Sequence, residues 1–399
     1  MYNVRKVGED IWWLGASDRR LELFENVYPV PEGMSYNNYL ISDEKTCLMD
    51  GIDSAVERFF IENLEHALDG RTLDYMVVQH MEPDHCACIP NLLLKYPNMK
   101  VVTSQKALQM VSQFYGIDIL DKAIVIKEGD TLELGKHTLK FMAAPMVHWP
   151  EVMVSYDTYA GALFSADAFG TFGAMSGNIF ADEVDWERDW ADESRRYYVN
   201  IVGKYGVQTT ALLNKAKALD LKLILPLHGH IWRENIDVLL DRYSKWASYT
   251  PEKKSVAIFC GSVYGNTQNA ADILSVMLAE KGVKDVRVYD VSKTPVSELV
   301  SRAFEYSTLV FASATYNGEI FDNMHVLLTD IKNHNLSGRT VGFIDNGSWA
   351  AVANKKMREC VETMKNMTVV EPLVSLKSAA DQSTLDSLKA LCDALVDSL

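Results

Sequence analysis

Beyond a short polar link, Thr250-Pro-Glu-Lys-Lys254, the chain repeats one pattern five times: a short apolar run followed by a stretch with helical spacing. The runs are Ser255–Cys260, Val286–Val291, Thr308–Ser313, Thr340–Ile344 and Val369–Ser375. The stretches between and after them are Gln268–Lys281, Val296–Tyr306, Met324–Asn333, Ala351–Met364 and Leu385–Leu399. Parallel strands need a crossover of a dozen or more residues, usually a helix, and this alternation supplies one after every strand. The pattern therefore predicts a doubly wound parallel α/β sheet over residues 255–399.

Residues 1–250 follow a different pattern, rich in strands with occasional helices. Asp10–Leu14, Tyr39–Ser42 and Thr46–Asp50 have strand character, and Val56–Leu68 has helical spacing with Asp53-Ser54 as its cap. Tyr75–Val78 is a buried strand. Lys122–Ala144 divides into several strands at the turns Gly129-Asp130 and Gly135-Lys136. A chain of 399 residues exceeds one ordinary core, so two domains are expected, 1–250 and 255–399.

Charge and composition exclude several classes. The net charge of −15 argues against a nucleic-acid or anionic-membrane partner. No apolar run reaches the roughly 18 residues of a membrane helix. The N-terminal ten residues lack the apolar segment of a secretory signal, so cytoplasm is the expected location. The six cysteines form no C-x-x-C pair, so no zinc ribbon, iron–sulfur cluster or rubredoxin module is expected in this chain. Cys86 and Cys88 directly follow a histidine-rich burst and read either as ligands or as small buried residues.

That burst, His80-Met-Glu82-Pro-Asp84-His85, directly follows the buried strand. Histidine offers neutral nitrogen ligands, while Asp and Glu offer anionic oxygens that can bridge two cations. His148, Asp167 and His228 lie further on, each after an apolar strand-like segment, which places them on strand-end loops.

The burst resembles the H-x-H-x-D-H motif of the metallo-β-lactamase fold, with Glu82 where zinc hydrolases carry histidine. A second carboxylate shifts such a site from zinc toward harder, redox-active iron. Downstream, Ser262-Val-Tyr-Gly-Asn-Thr267 resembles a flavodoxin phosphate loop. In this order the two resemble the flavodiiron (A-type flavoprotein) family over nearly the whole chain. The resemblance implies a metallo-β-lactamase αβ/βα sandwich followed by a flavodoxin-like doubly wound sheet. It implies His80, Glu82 and His148 on one iron, Asp84, His85 and His228 on the other, and Asp167 bridging. His85 varies as a ligand within the family. Three carboxylates with four neutral imidazoles sum to −3 against +4 for a diferrous pair, which favours two metals over one.

The resemblance also implies FMN. Ser262, Val263, Tyr264, Gly265, Asn266 and Thr267 match the phosphate loop, where backbone N–H groups at a helix start hold the phosphate. Ala314, Thr315, Tyr316, Asn317 and Gly318 follow the third strand; Asn346, Gly347, Ser348, Trp349 and Ala350 follow the fourth. Both segments resemble the loops that sandwich the isoalloxazine ring, with Tyr316 and Trp349 as stacking residues. Above the metals, Tyr198 is the candidate catalytic residue, and an ordinary helix-packing role is the competing reading. Glu25 stands where some relatives have a pocket histidine. His230 adjoins a ligand but stays outside the predicted site.

The activity implied is reduction of O2 to water or of NO to N2O, with electrons entering at FMN. The donor would be a separate rubredoxin, a flavin reductase or reduced deazaflavin. The assembly would be a head-to-tail homodimer or a dimer of dimers. Two other readings stand beside it. One is a zinc-dependent hydrolase of the metallo-β-lactamase fold with an appended flavodoxin domain. The other is a flavodoxin-type electron carrier without catalysis at the metal site.

Overall fold

A computed structural model describes residues 2–399, and the chain divides into two compact units, Met1–Ser244 and Lys245–Leu399. The division falls inside the helix Ile236–Ala247, a few residues ahead of the polar link.

Among the described residues, the first unit packs a seven-stranded sheet against a five-stranded one. The larger sheet runs Arg5–Gly8, Ile11–Trp13, Tyr39–Ser42, Thr46–Met49, Tyr75–Val78, Lys100–Ser104, Ala123–Ile126 in spatial order. Its early strands pair antiparallel and its last four parallel. The smaller sheet holds Thr131–Glu133, Thr138–Ala143, Met153–Asp157, Ala162–Phe164 and Leu223–Leu225. Side chains facing between the sheets form one core, with Trp13, Tyr39, Ile41, Met49, Val77 and Val102 meeting Leu139, Phe141, Met153, Phe164 and Leu225. Each such fully buried side chain contributes about 1.5–3 kcal/mol relative to exposure. Leu40, Leu48 and Met76, pointing the other way, are equally buried, because neither face of these strands is left to solvent. The result is the αβ/βα sandwich.

Two local expectations need refinement. The run Lys122–Ala144 does form several strands, but they belong to different sheets. The chain leaves the larger sheet after Ile126, turns through Gly129 at φ +90°, and enters the smaller one at Thr131. The helix Glu57–Leu68 starts without a side-chain cap, at Val56. Asp53 Oδ1 instead accepts from the Ala55 N–H, closing a turn one step too early to serve the helix.

The second unit is a parallel sheet in the spatial order second, first, third, fourth, fifth strand: Arg287–Asp290, Lys253–Gly261, Tyr306–Tyr316, Thr340–Asn346, then Thr368–Val369 with Val374–Leu376. This is the flavodoxin-like doubly wound order. Helices Asn266–Glu280, Val296–Glu305, Asp322–Asn333, Ala353–Val361 and Gln382–Asp397 connect or follow the strands. The fifth strand, expected as one piece, is two. Pro372 lies in the gap and has no N–H for the ladder, so pairing stops at Val341 and resumes at Ile344.

Candidate metal centre and flavin pocket

Four strand ends deliver the ligand candidates to one edge of the sandwich. The burst leaves Tyr75–Val78 of the larger sheet. His148, Asp167 and His228 follow Thr138–Ala143, Ala162–Phe164 and Leu223–Leu225 of the smaller sheet. Within the burst the backbone changes conformation between Glu82 and Asp84. Glu82 is extended (φ −64°, ψ 136°), and Pro83 then starts a single helical turn, Pro83–Cys86. The Glu82 carboxylate is thereby separated from the Asp84 carboxylate and the His85 imidazole, which share the turn.

The side chains gather into two buried groups, His80–Glu82–His148–Asp167 and Asp84–His85–His228. In the first, His148 Nε2 lies 3.0 Å from Glu82 Oε2 and 3.0 Å from Asp167 Oδ2. His80 Nε2 lies 3.3 Å from His148 Nε2 and 3.2 Å from Asp167 Oδ2. In the second, Asp84 Oδ2 is 3.3 Å from His85 Nε2 and 3.2 Å from His228 Nε2. Asp167 Oδ1 reaches this group, 3.0 Å from His85 Nε2 and 3.6 Å from His228 Nε2. Asp167 thus turns one oxygen to each group.

This donor set fits a pair of cations. Asp84 Oδ1 and Oδ2, Asp167 Oδ1, His85 Nε2 and His228 Nε2 are buried and meet no hydrogen-bond partner among the described residues. Leaving so many buried polar atoms unsatisfied would be costly, and two cations between them would satisfy the set. Burial pushes the Asp84 carboxyl well above the usual range. Burial opposes ionisation of Asp167 as well, yet His85 and His80 hold it well below that range. The loop after the last strand is tightly built. His228 Nδ1–H donates to the Ser35 carbonyl at 2.7 Å, and the Gly229 N–H donates to Ser35 Oγ at 2.9 Å. Gly229 sits at φ +74°, and a Cβ there would come within 2.7 Å of Thr171 Cβ, so no other residue fits.

Aromatic rings wall the pocket. Phe24, Tyr36 and Tyr197 have ring centres 5.6, 5.6 and 5.5 Å from that of His228, and Trp149 lies 5.2 Å from His80. Of the two adjacent tyrosines, the one whose ring packs on a ligand histidine is Tyr197, the neighbour of the expected Tyr198. Successive helical residues point about 100° apart, so only one of the pair can face the ligands. Tyr198 faces away and packs on Tyr243 with ring centres 5.0 Å apart. Tyr197 OH is buried with no hydrogen-bond partner among the described residues. A π-helical turn, Tyr198–Val202, begins immediately after it.

Other expectations sort clearly. Glu25, in a left-handed turn at φ +50°, brings its carboxyl to Glu82; burial, then that hydrogen bond, pushes it up to about 8. His230 joins neither ligand group. Its ring packs on Trp190, with centres 4.5 Å apart, and burial lowers it to about 4. Cys86 and Cys88 follow the packing reading. Cys86 Sγ lies 3.0 Å from Tyr115 OH, Cys88 Sγ packs under Gly51, and burial pushes both thiols up to about 12. Sequence reasoning missed Glu151, which is buried and bonded to His80 at 2.7 Å. A lone glutamate after Trp149-Pro150 carries no pattern to mark it.

In the second unit the three predicted loops line one cavity of about 570 Å³ at the carboxyl ends of the strands. Every predicted flavin residue lines it except Gly265. Gly265 adopts φ +94° at the start of helix Asn266–Glu280, and its N–H donates to Ser262 Oγ at 3.0 Å. Asn317 and Gly318, at φ +52° and +72°, form the two-residue turn that folds Glu319–Ile320 back on Thr315–Tyr316. The Thr315 hydroxyl is engaged elsewhere, accepting from the Val352 and Ala353 N–H groups at the start of helix Ala353–Val361. Ser378 joins the lining unannounced. It exchanges backbone bonds with the Asn346 amide, at 2.9 and 3.0 Å. Tyr264 and Trp349 stand 95% and 93% exposed at the rim, open for a flat ring to cover.

Comparison with known proteins bears on both units. The family described as ODP family beta lactamase matches residues 34–229, and the flavodoxin family matches residues 258–388. The anaerobic nitric oxide reductase flavorubredoxin of Vibrio vulnificus is 30% identical over 354 residues, 86% of this chain and 70% of that protein. An uncharacterised protein of Methanocaldococcus jannaschii is 29% identical over 385 residues, 96% of this chain and 95% of the other. Among solved structures, the rubredoxin oxygen:oxidoreductase of Desulfovibrio gigas superposes with a TM-score of 0.93 at 26% identity, covering 99% of this chain and 98% of that one.

Proposed function

The chain belongs to the flavodiiron protein family, and from that premise we propose that it is an oxidoreductase taking electrons in at FMN and reducing O2 to water or NO to N2O. The cofactors are FMN in the flavodoxin unit and two irons in the first unit. When bound they hold four electrons between them, two on the irons and two on the flavin, which is the number that takes O2 to water. The observation that carries the reading is Asp167, whose two oxygens face different ligand groups. Asp167 would help hold a cation in each group, and two such cations would supply Lewis-acid and redox chemistry to one small substrate.

The remaining residues shape what happens there. His80, Glu82 and His148 would hold one iron, and Asp84, His85 and His228 the other. Phe24, Tyr36 and Trp149, packed around His228 and His80, would keep bulk water from the pocket. Tyr197, whose hydroxyl meets no hydrogen-bond partner among the described residues, would donate its proton to the reacting oxygen. Glu25 adds a second acidic proton beside Glu82. We further propose a head-to-tail homodimer, or a dimer of two such dimers, in which the FMN of one chain serves the irons of the other. A separate rubredoxin, a flavin reductase or reduced deazaflavin would serve as donor.

Anaerobic reduction followed by stopped-flow mixing with O2, and separately with NO, tests the proposal, with iron and FMN counted in the same sample. Oxidation of four electron equivalents per O2 without released peroxide is expected. Stoichiometric zinc with hydrolytic turnover would overturn it in favour of a hydrolase. Full O2 consumption by Asp167→Ala would overturn it in favour of an FMN-only carrier.

A further inference from the structure

Three of the ligand histidines, His80, His85 and His228, are fully buried, so the protein alone decides what each Nδ1 meets. The three partners differ. His228 Nδ1–H donates to a neutral backbone carbonyl, Ser35 O, at 2.7 Å. His85 Nδ1 meets no hydrogen-bond partner among the described residues. His80 Nδ1–H donates at 2.7 Å to a carboxylate, Glu151 Oε1. The same oxygen accepts the Met81 N–H at 3.0 Å, which fixes it behind the ring. Glu151 Oε2 is buried and unpartnered among the described residues, so no further donor drains the charge away from His80.

We propose that Glu151 is a positioning residue that acts through His80 to make the His80–Glu82–His148 position the tighter of the two metal positions. The inference rests on the assignment of these ligands to one metal. An imidazole whose N–H is held by an anion presents its other nitrogen in a fixed tautomer and direction, with raised basicity. A neutral carbonyl does this less, and an unpartnered Nδ1 does not do it at all. Charge-assisted bonds of this kind are roughly twice as strong as neutral ones. The two positions therefore differ at their inner edge even though each has two histidines and a carboxylate of its own. The first cation to enter goes to His80, and the position formed with His85 fills second.

The full chain, with FMN in place and its metal stripped by a chelator, is dialysed against Co²⁺ to equilibrium. Two ions per chain are expected, bound stepwise. Glu151→Gln keeps the size and a hydrogen-bond acceptor but removes the charge. It is expected to weaken the first step by about 10- to 100-fold and leave the second within about twofold. Unchanged binding in Glu151→Gln, or an equal loss in both steps, would overturn the role assigned to Glu151. A wild-type chain binding fewer than two Co²⁺ would instead overturn the ligand assignment beneath it. A second measurement needs no variant: anomalous diffraction from crystals of the wild-type chain with one equivalent of Co²⁺. Density beside His80 supports the proposal, and density beside His85 overturns it.

Discussion

Asp167, Tyr197 and Glu25 each matter through the direction in which one or two atoms point. Tyr197→Phe removes the buried hydroxyl of the ring that packs on His228 and should slow turnover by roughly 10²-fold with iron and FMN content unchanged. Tyr198→Phe should stay within about twofold, because that ring packs on Tyr243. Steady-state O2 and NO consumption on the two variants checks the pair, and equal losses would remove Tyr197 from the mechanism. Glu25→His exchanges an acid bonded to Glu82 for a base, so the ratio of NO to O2 turnover should change while metal content does not. An unchanged ratio would show that this position plays no part in substrate preference. The ligand candidates were legible in the chain because histidine, aspartate and glutamate state their chemistry by type, and their order matched a known arrangement. Tyr197 was not, since the choice between neighbours depends on helical phase at the start of a π turn. Glu151 was not either, because its role exists only once residues 80 and 151 come together.

At the level of elements, loops in the flavodoxin unit carry two loads at once. Thr315 lines the flavin cavity while its hydroxyl accepts the N–H groups of Val352 and Ala353 at the start of helix Ala353–Val361. Thr315→Val keeps the shape and deletes the acceptor, so it should cost about 1–2 kcal/mol in urea unfolding. FMN affinity, read from quenching of flavin fluorescence, should fall only where the helix start shifts. No loss of stability would mean that water replaces the hydroxyl. The five β–α units were legible because strand and helix periods differ and alternate cleanly. What stayed hidden came from single residues acting on the backbone. Pro372 splits the last strand, Gly129 carries the chain from one sheet to the other, and Ser378 enters the flavin cavity through a left-handed turn at φ +71°.

At the scale of the whole molecule, the proposed head-to-tail pairing can be tested by complementation. Chains carrying Asp167→Ala keep their flavin site, and chains carrying Thr267→Asp keep their metal ligands; each alone should be inactive. Mixed after reversible dissociation, they should regain about a quarter of wild-type turnover, since half the dimers are mixed and each has one intact flavin–iron pair. If electrons stayed within one chain, mixing would restore nothing. No helix among the described residues is long and apolar enough to cross a membrane. The origin of the ligands has a mechanical consequence. The burst hangs from the larger sheet, while His148, Asp167 and His228 hang from the smaller, so bound cations clasp the two sheets at one edge. Metal that binds only the folded form stabilises it by about 2.7 kcal/mol at a hundredfold excess over its dissociation constant. Hydrogen exchange should therefore slow across the strands of residues 2–244 as metal is added and leave the strands of 245–399 unchanged. The opening rate of the sandwich then becomes a gauge of how much metal the protein has been given.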